Sequence, residues 1–90
     1  MKTVCRITRF SGRVQGVGFR YTAITLSRDL SLAGTVCNLD DRSVELIVEG
    51  PGPEIDTLVR RLQDHFRSYI TGVQQNDAPP RGLPPGIRII

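Results

Sequence analysis

The hydrophobic spacing of this chain changes repeatedly between a two-residue repeat and a helical one, and the order of those changes restricts the folds open to it. Residues 3–14 alternate loosely and are rich in β-forming side chains, which predicts a first strand. Gln15-Gly16-Val17-Gly18 interrupts it, because paired glycines permit backbone angles that other residues avoid. Over residues 19–30 the spacing turns helical, through Tyr21, Ile24, Leu26 and Leu30. Gly34 is expected to end that region, with Thr35-Val36-Cys37-Asn38 as a short second strand. A polar turn, Leu39-Asp40-Asp41-Arg42, follows. Residues 43–49 then alternate, with Val44, Leu46 and Val48 on one face and Glu45, Ile47 and Glu49 on the other. That pattern predicts the third strand, paired in a hairpin.

Pro51-Gly52-Pro53 opens a second helix, with Glu54 and Asp56 in its first turn, where negative charge suits the helix dipole. Ile55, Leu58, Val59, Leu62 and Phe66 form its apolar stripe, while Arg60, Arg61 and Asp64 are expected to face water. Residues 69–75 read as a fourth strand, 77–86 as a loop holding four prolines, and 86–90 as a short final strand. The resulting β-α-β-β-α-β order is the α+β, ferredoxin-like arrangement of two split β-α-β units. Both helices are expected on one face of an antiparallel sheet, with an additional C-terminal edge strand. The third strand should lie between the first two, which then point the same way and end at one edge of the sheet. Ninety residues leave room for one small core, so residues 1–90 are read as a single domain.

The charged residues narrow the chemistry. Twelve Lys+Arg against nine Asp+Glu give +3, and eleven of the twelve cations are arginine, the better residue for planar oxyanions. That balance favours anionic ligands in general and is too weak to indicate nucleic acid. RNA-recognition domains share the element order, but they stack bases on sheet aromatics. Here the third strand reads Val44-Glu45-Leu46-Ile47-Val48-Glu49, whose glutamates would repel RNA. One His (His65) and two Cys (Cys5, Cys37) supply no set with metal-ligand spacing. The cysteines read as small buried apolar residues, on strands too far apart for a disulfide. No apolar run approaches a membrane span, and Met1-Lys2-Thr3-Val4-Cys5-Arg6 is interrupted by charge. The expected compartment is the cytoplasm, with no membrane or nucleic-acid partner and a monomer as the default.

The predicted topology brings two segments to one edge. The first strand delivers Gln15-Gly16-Val17-Gly18-Phe19-Arg20 and the second delivers Asn38. With one strand between them they lie roughly 10 Å apart, a gap that suits a phosphate and a water. The glycine turn runs into a helix N-terminus, where free N–H groups favour an anion, and Arg20 offers a planar fork. Two readings stay open on these residues alone: an anion site, or a strand-to-helix turn with a solvated arginine. Neither the dinucleotide fingerprint nor the nucleotide P-loop fits, since Tyr21 stands where a third glycine is needed and no Lys-Ser/Thr pair follows the turn.

The longer string Ser11-Gly12-Arg13-Val14-Gln15-Gly16-Val17-Gly18-Phe19-Arg20 closely resembles the first signature of the acylphosphatase family. Gly34-Thr35-Val36-Cys37-Asn38, with Ser43-Val44-Glu45 after the turn, resembles the second, and Gly50-Pro51 and Ile87-Arg88-Ile89 are similar to further features of that family. The resemblance implies hydrolysis of the carboxyl–phosphate bond of small acyl phosphates, with no metal and no organic cofactor. It implies Arg20 as the phosphate-binding arginine and Asn38 as the residue positioning the attacking water. Gln15, Gly16, Val17, Gly18 and Phe19 are implied as the phosphate cradle. A non-catalytic module that binds phosphate or carbamoyl phosphate is the alternative. Three positions depart from the family pattern: Thr35 where an aromatic is common, Cys37 where a basic residue is common, and Asp41-Arg42 where the hairpin turn often carries glycine.

Overall fold

A computed structural model describes residues 2–90, so Met1, the first residue of the charge-interrupted N-terminal segment, lies outside the described residues. The elements are β1 (Thr3–Gly12), α1 (Phe19–Leu26), β2 (Ala33–Asn38), β3 (Val44–Pro51), α2 (Gly52–His65), β4 (Ile70–Ala78) and β5 (Gly86–Ile89). They form one sheet in the order β4-β1-β3-β2-β5. Alternation along β1 and β3 sends Phe10, Val44, Leu46 and Val48 to the same face, where they join Phe19 and Ala23 of α1 and Ile55, Leu58, Val59 and Leu62 of α2 in one buried cluster. Both helices therefore cover that face. Phe66, just beyond α2, completes the stripe and is buried.

The four-strand antiparallel core matches the expected order, but the sheet is mixed. β1 pairs antiparallel with β3 and β4, and β2 with β3, whereas β5 runs parallel to β2. The reason is where β4 ends. It runs on past Gln75 to Ala78, which lies opposite Cys5 at the start of β1. β5 begins opposite Ala33, at the start of β2. Residues 79–85 must therefore cross the same end of the sheet from one edge to the other. Four strand spacings make about 19 Å, and eight Cα steps reach about 26 Å when extended. The prolines at 79, 80, 84 and 85 suit an extended crossing of that length.

Glu49 grips this crossing midway. It sits on the central strand opposite both Cys5 and Ala33. Its carboxylate accepts hydrogen bonds from the N–H groups of Arg81, Gly82 (3.1 Å) and Leu83 (3.0 Å). Gly82 has φ 71°, the left-handed angle that lets successive N–H groups converge. The Arg81 N–H first, and those of Leu83 and Gly82 with it, hold the Glu49 carboxyl below the usual value of 4.5 despite its burial. A lowered acid contributes stability above about 4.5, and that contribution is lost as pH falls through the folded-state value. Glu49→Gln is accordingly expected to lower the urea midpoint at pH 7. The gap between the two proteins should narrow on acidification below about pH 4.5. A gap that stays constant with pH would show that the carboxylate charge does not hold the crossing.

Other boundaries shift for local reasons. α1 stops at Leu26 rather than continuing to Leu30, because Ser27 turns its N–H (3.2 Å) and hydroxyl (2.8 Å) onto the Ile24 carbonyl. Leu30 still packs against the core. β1 ends at Gly12, where φ is 116° and the register with β4 slips. Gly34 lies inside β2 instead of preceding it, and a Cβ there would stand 2.0 Å from the Ile47 carbonyl oxygen. The glycine serves close backbone approach. Tyr21, although part of the helical apolar spacing, is 71% exposed. Arg61 does not simply face water: it bonds Asp29 with both nitrogens (2.7 and 3.1 Å) and the Leu26 carbonyl (2.8 Å), tying α2 to the end of α1.

Candidate active site

The segment between β1 and α1 is anchored at both ends by burial. Val14 is fully buried, and Phe19 packs its ring against Phe10 and Phe66 at centroid distances of 5.0 and 4.7 Å. Between these anchors Gly16 and Gly18 take φ of 75° and 81°. A Cβ on either would meet nothing within 4 Å, so glycine is required there by backbone angle and not by lack of space. Gly18 is the N-cap of α1 and supplies no side-chain cap, and the first turn carries no acidic residue. The N–H groups of that turn thus have no side-chain acceptor among the described residues. Arg20, the second residue of α1, is half-buried. It takes no part in the ion pairs of the described residues, which join Arg6, Arg9, Arg61 and Arg67 to nearby carboxylates.

Asn38 closes β2 opposite Val44 and shares the helix-side face with Val36. Its side-chain oxygen is buried and accepts no hydrogen bond, the one buried side-chain polar atom in that condition among the described residues. Such an atom costs about 1–3 kcal/mol, and nothing in the fold offsets it. No side-chain hydrogen bond among the described residues fixes the orientation of the carboxamide.

Gln15 joins the two segments. Its Nε2 donates to the carbonyls of Leu39 (2.9 Å) and Ser43 (3.0 Å), the two residues that close the turn after Asn38. The Leu39 N–H returns a bond to the Ser43 carbonyl at 2.8 Å. Asp41 fastens the same turn by accepting from the Ser43 N–H and hydroxyl, the hydroxyl being the main cause that holds its carboxyl below the ordinary range. The Gln15 side chain is therefore committed to positioning. Sequence reasoning placed Gln15 in the cradle and did not foresee this link, which spans 24 and 28 residues.

Arg42 is the only non-glycine residue with positive φ (74°) among the described residues. The turn geometry asks for glycine at this position, and a departure from glycine in the hairpin turn is the sequence signal that marks it. Arg42, Arg13, Gly12, Val14 and Gln15 line a cleft of about 490 Å³ beside the loop. A larger cleft of about 820 Å³ lies at the opposite end of the sheet, lined by residues such as Thr3, Leu32, Pro51 and Ile87 and by none of the loop residues. The two cysteines are free, and no cluster of His, Cys, Asp and Glu among the described residues could hold a metal ion. No helix among them is long and apolar enough to cross a membrane.

A protein-family model described as Acylphosphatase matches residues 7–85. The chain belongs to the acylphosphatase family. It is 45% identical over 65 residues to an acylphosphatase of Corynebacterium glutamicum, covering 71% of this chain and 69% of that protein. An acylphosphatase of Burkholderia thailandensis is 47% identical over 72 residues, 79% of this chain and 74% of the relative. The crystal structure of acylphosphatase from Bacillus subtilis superposes with a TM-score of 0.83 at 32% identity, covering 99% of each chain. The acylphosphatase match takes in the glycine loop, Arg20, Asn38 and the turn through Ser43. Acylphosphatase activity on small acyl phosphates follows from the family and its named members.

Proposed function

We propose that this chain hydrolyses the carboxyl–phosphate bond of small acyl phosphates without a metal ion. Arg20 and the backbone N–H groups of residues 15–19 hold the phosphate, and the Asn38 carboxamide orients the attacking water. The observation that carries this reading is the unpaired, buried oxygen of Asn38, set at the same sheet end as an uncapped helix N-terminus. A water has two acceptors to satisfy there, the amide oxygen and a phosphate oxygen.

The chemistry suits so spare a set of groups. Water oxygen bonds to phosphorus as the phosphorus–oxygen bond to the acyl group breaks. The acyl group leaves as a carboxylate, and one proton of the water passes to a phosphate oxygen. An acyl phosphate dianion and water thus become a carboxylate and a dihydrogen phosphate monoanion. The leaving carboxylate has a conjugate acid of pKa about 4, so it needs no general acid. Positioning and fixed positive charge are then sufficient help for phosphoryl transfer to water. An amide is no base near neutral pH, which restricts the reading to activated bonds. Phosphate monoesters, which expel an alkoxide, are among the slowest hydrolyses known and fall outside it.

The test is phosphate release from acetyl phosphate with a chelator present. Release at the same rate with and without chelator is the expected result. Loss of release on chelation would end the metal-free reading. Phosphate binding without any release would leave only a binding module.

A further inference from the structure

The 490 Å³ cleft beside the loop is lined by two arginines, Arg13 and Arg42, and by no acidic residue. Arg13 lies 5.9 Å from the centre of the Tyr69 ring and donates its backbone N–H to the Tyr69 carbonyl at 2.9 Å. Its charge is thereby positioned without being neutralised. Arg42 comes from the other wall, on a turn closed by its own N–H to the Leu39 carbonyl (3.1 Å) and stapled to the loop by Gln15. Neither arginine takes part in an ion pair among the described residues. The turn's own acids do not answer them, since Asp41 is engaged by Ser43 and Asp40 is exposed and joins no ion pair.

Two arginines with no acidic residue between them line one cleft, and Arg42 holds a left-handed backbone that glycine would adopt without strain. Both features are explained if an anion enters between them. Gln15 lines this cleft and belongs to the proposed phosphate cradle, which sets the cleft next to that cradle. Its volume lies within the range of small-molecule sites.

We propose that Arg42, with Arg13, is a specificity-determining residue that selects acyl phosphates whose acyl group carries a second negative charge. This rests on the site assignment under Proposed function and adds a substrate class to it. The phosphate is held by the loop and Arg20, and the distal carboxylate or phosphate of the acyl group lies between Arg13 and Arg42. Because both arginines are exposed, the preference is modest and sensitive to salt.

The experiment compares kcat/KM for succinyl phosphate and acetyl phosphate, read as a ratio. Arg42→Gly keeps the left-handed backbone and is expected to lower the ratio about fivefold, the scale of one exposed ion pair. Arg42→Glu should lower it further, and added salt should lower it more in the wild type than in Arg42→Gly. Arg28→Gly, which removes a charge at the opposite end of the sheet, is the control and should leave the ratio in place. An unchanged ratio in both Arg42 variants would overturn the proposal. So would an equal fall in Arg28→Gly, which would trace the effect to overall charge. If the wild type hydrolysed neither substrate, the site assignment itself would fail and this inference with it.

Discussion

Replacement of Arg20 by alanine is expected to weaken competitive inhibition by inorganic phosphate, and kcat/KM for acetyl phosphate, by about 10²- to 10³-fold. A guanidinium can place two parallel N–H groups on two phosphate oxygens, and hydrogen bonds to charged groups contribute about 1.5–3 kcal/mol each. Two such bonds sum to about 3–6 kcal/mol, and the lower end, which suits a half-buried arginine, corresponds to that range at about 1.4 kcal/mol per tenfold. Lysine should restore little, because a point charge cannot reproduce the paired geometry. Stability should hardly change, since Arg20 has no ion-pair partner among the described residues to lose. Phosphate inhibition and a urea melt of the same variant separate the two effects. Wild-type inhibition in a folded Arg20→Ala protein would remove Arg20 from the site.

Asn38→Ala is expected to separate turnover from binding. The carboxamide is proposed to touch the water and not the phosphate, so kcat should fall about 10²- to 10³-fold, on the scale of losing one oriented polar group, while phosphate inhibition stays near the wild-type value. The stability effect should run the other way from most core truncations. The Asn38 oxygen accepts no bond and is buried, so its removal leaves no partner stranded and relieves a desolvation cost. A variant at least as stable as the parent and nearly inactive would mark a functional site kept at the expense of stability. Loss of phosphate affinity equal to the loss of rate would instead make Asn38 a phosphate ligand. Asn38→Asp provides a second check, because a carboxylate at this corner should repel the phosphate and raise its inhibition constant.

Much of this architecture could be read locally. The alternation over residues 43–49 placed Val44, Leu46 and Val48 on the buried face, and all three are fully buried. The stripe of Ile55, Leu58, Val59, Leu62 and Phe66 is buried as its spacing requires. The paired glycines at 16 and 18 announced a loop with unusual backbone angles, and both have positive φ. The polar stretch at the end of β4 was harder. Gln74, Gln75, Asn76 and Asp77 are exposed, and their strand is defined by backbone pairing with β1 on one side only. An edge strand with polar side chains on both faces leaves no hydrophobic period to detect.

The sequence by itself determined the order of strands and helices, which faces are apolar, and where the backbone must bend left-handed. Each of these follows from residues within a turn or a few strand positions of one another. Only the tertiary structure decided that β5 lies parallel to β2, that Glu49 holds residues 81–83, that Gln15 reaches the turn beyond Asn38, and that Arg42 shares a cleft with Arg13. These contacts join positions tens of residues apart, and they depend on strand order and register. A one-residue slip in register would turn every side chain of a strand to the other face while leaving its local pattern unaltered.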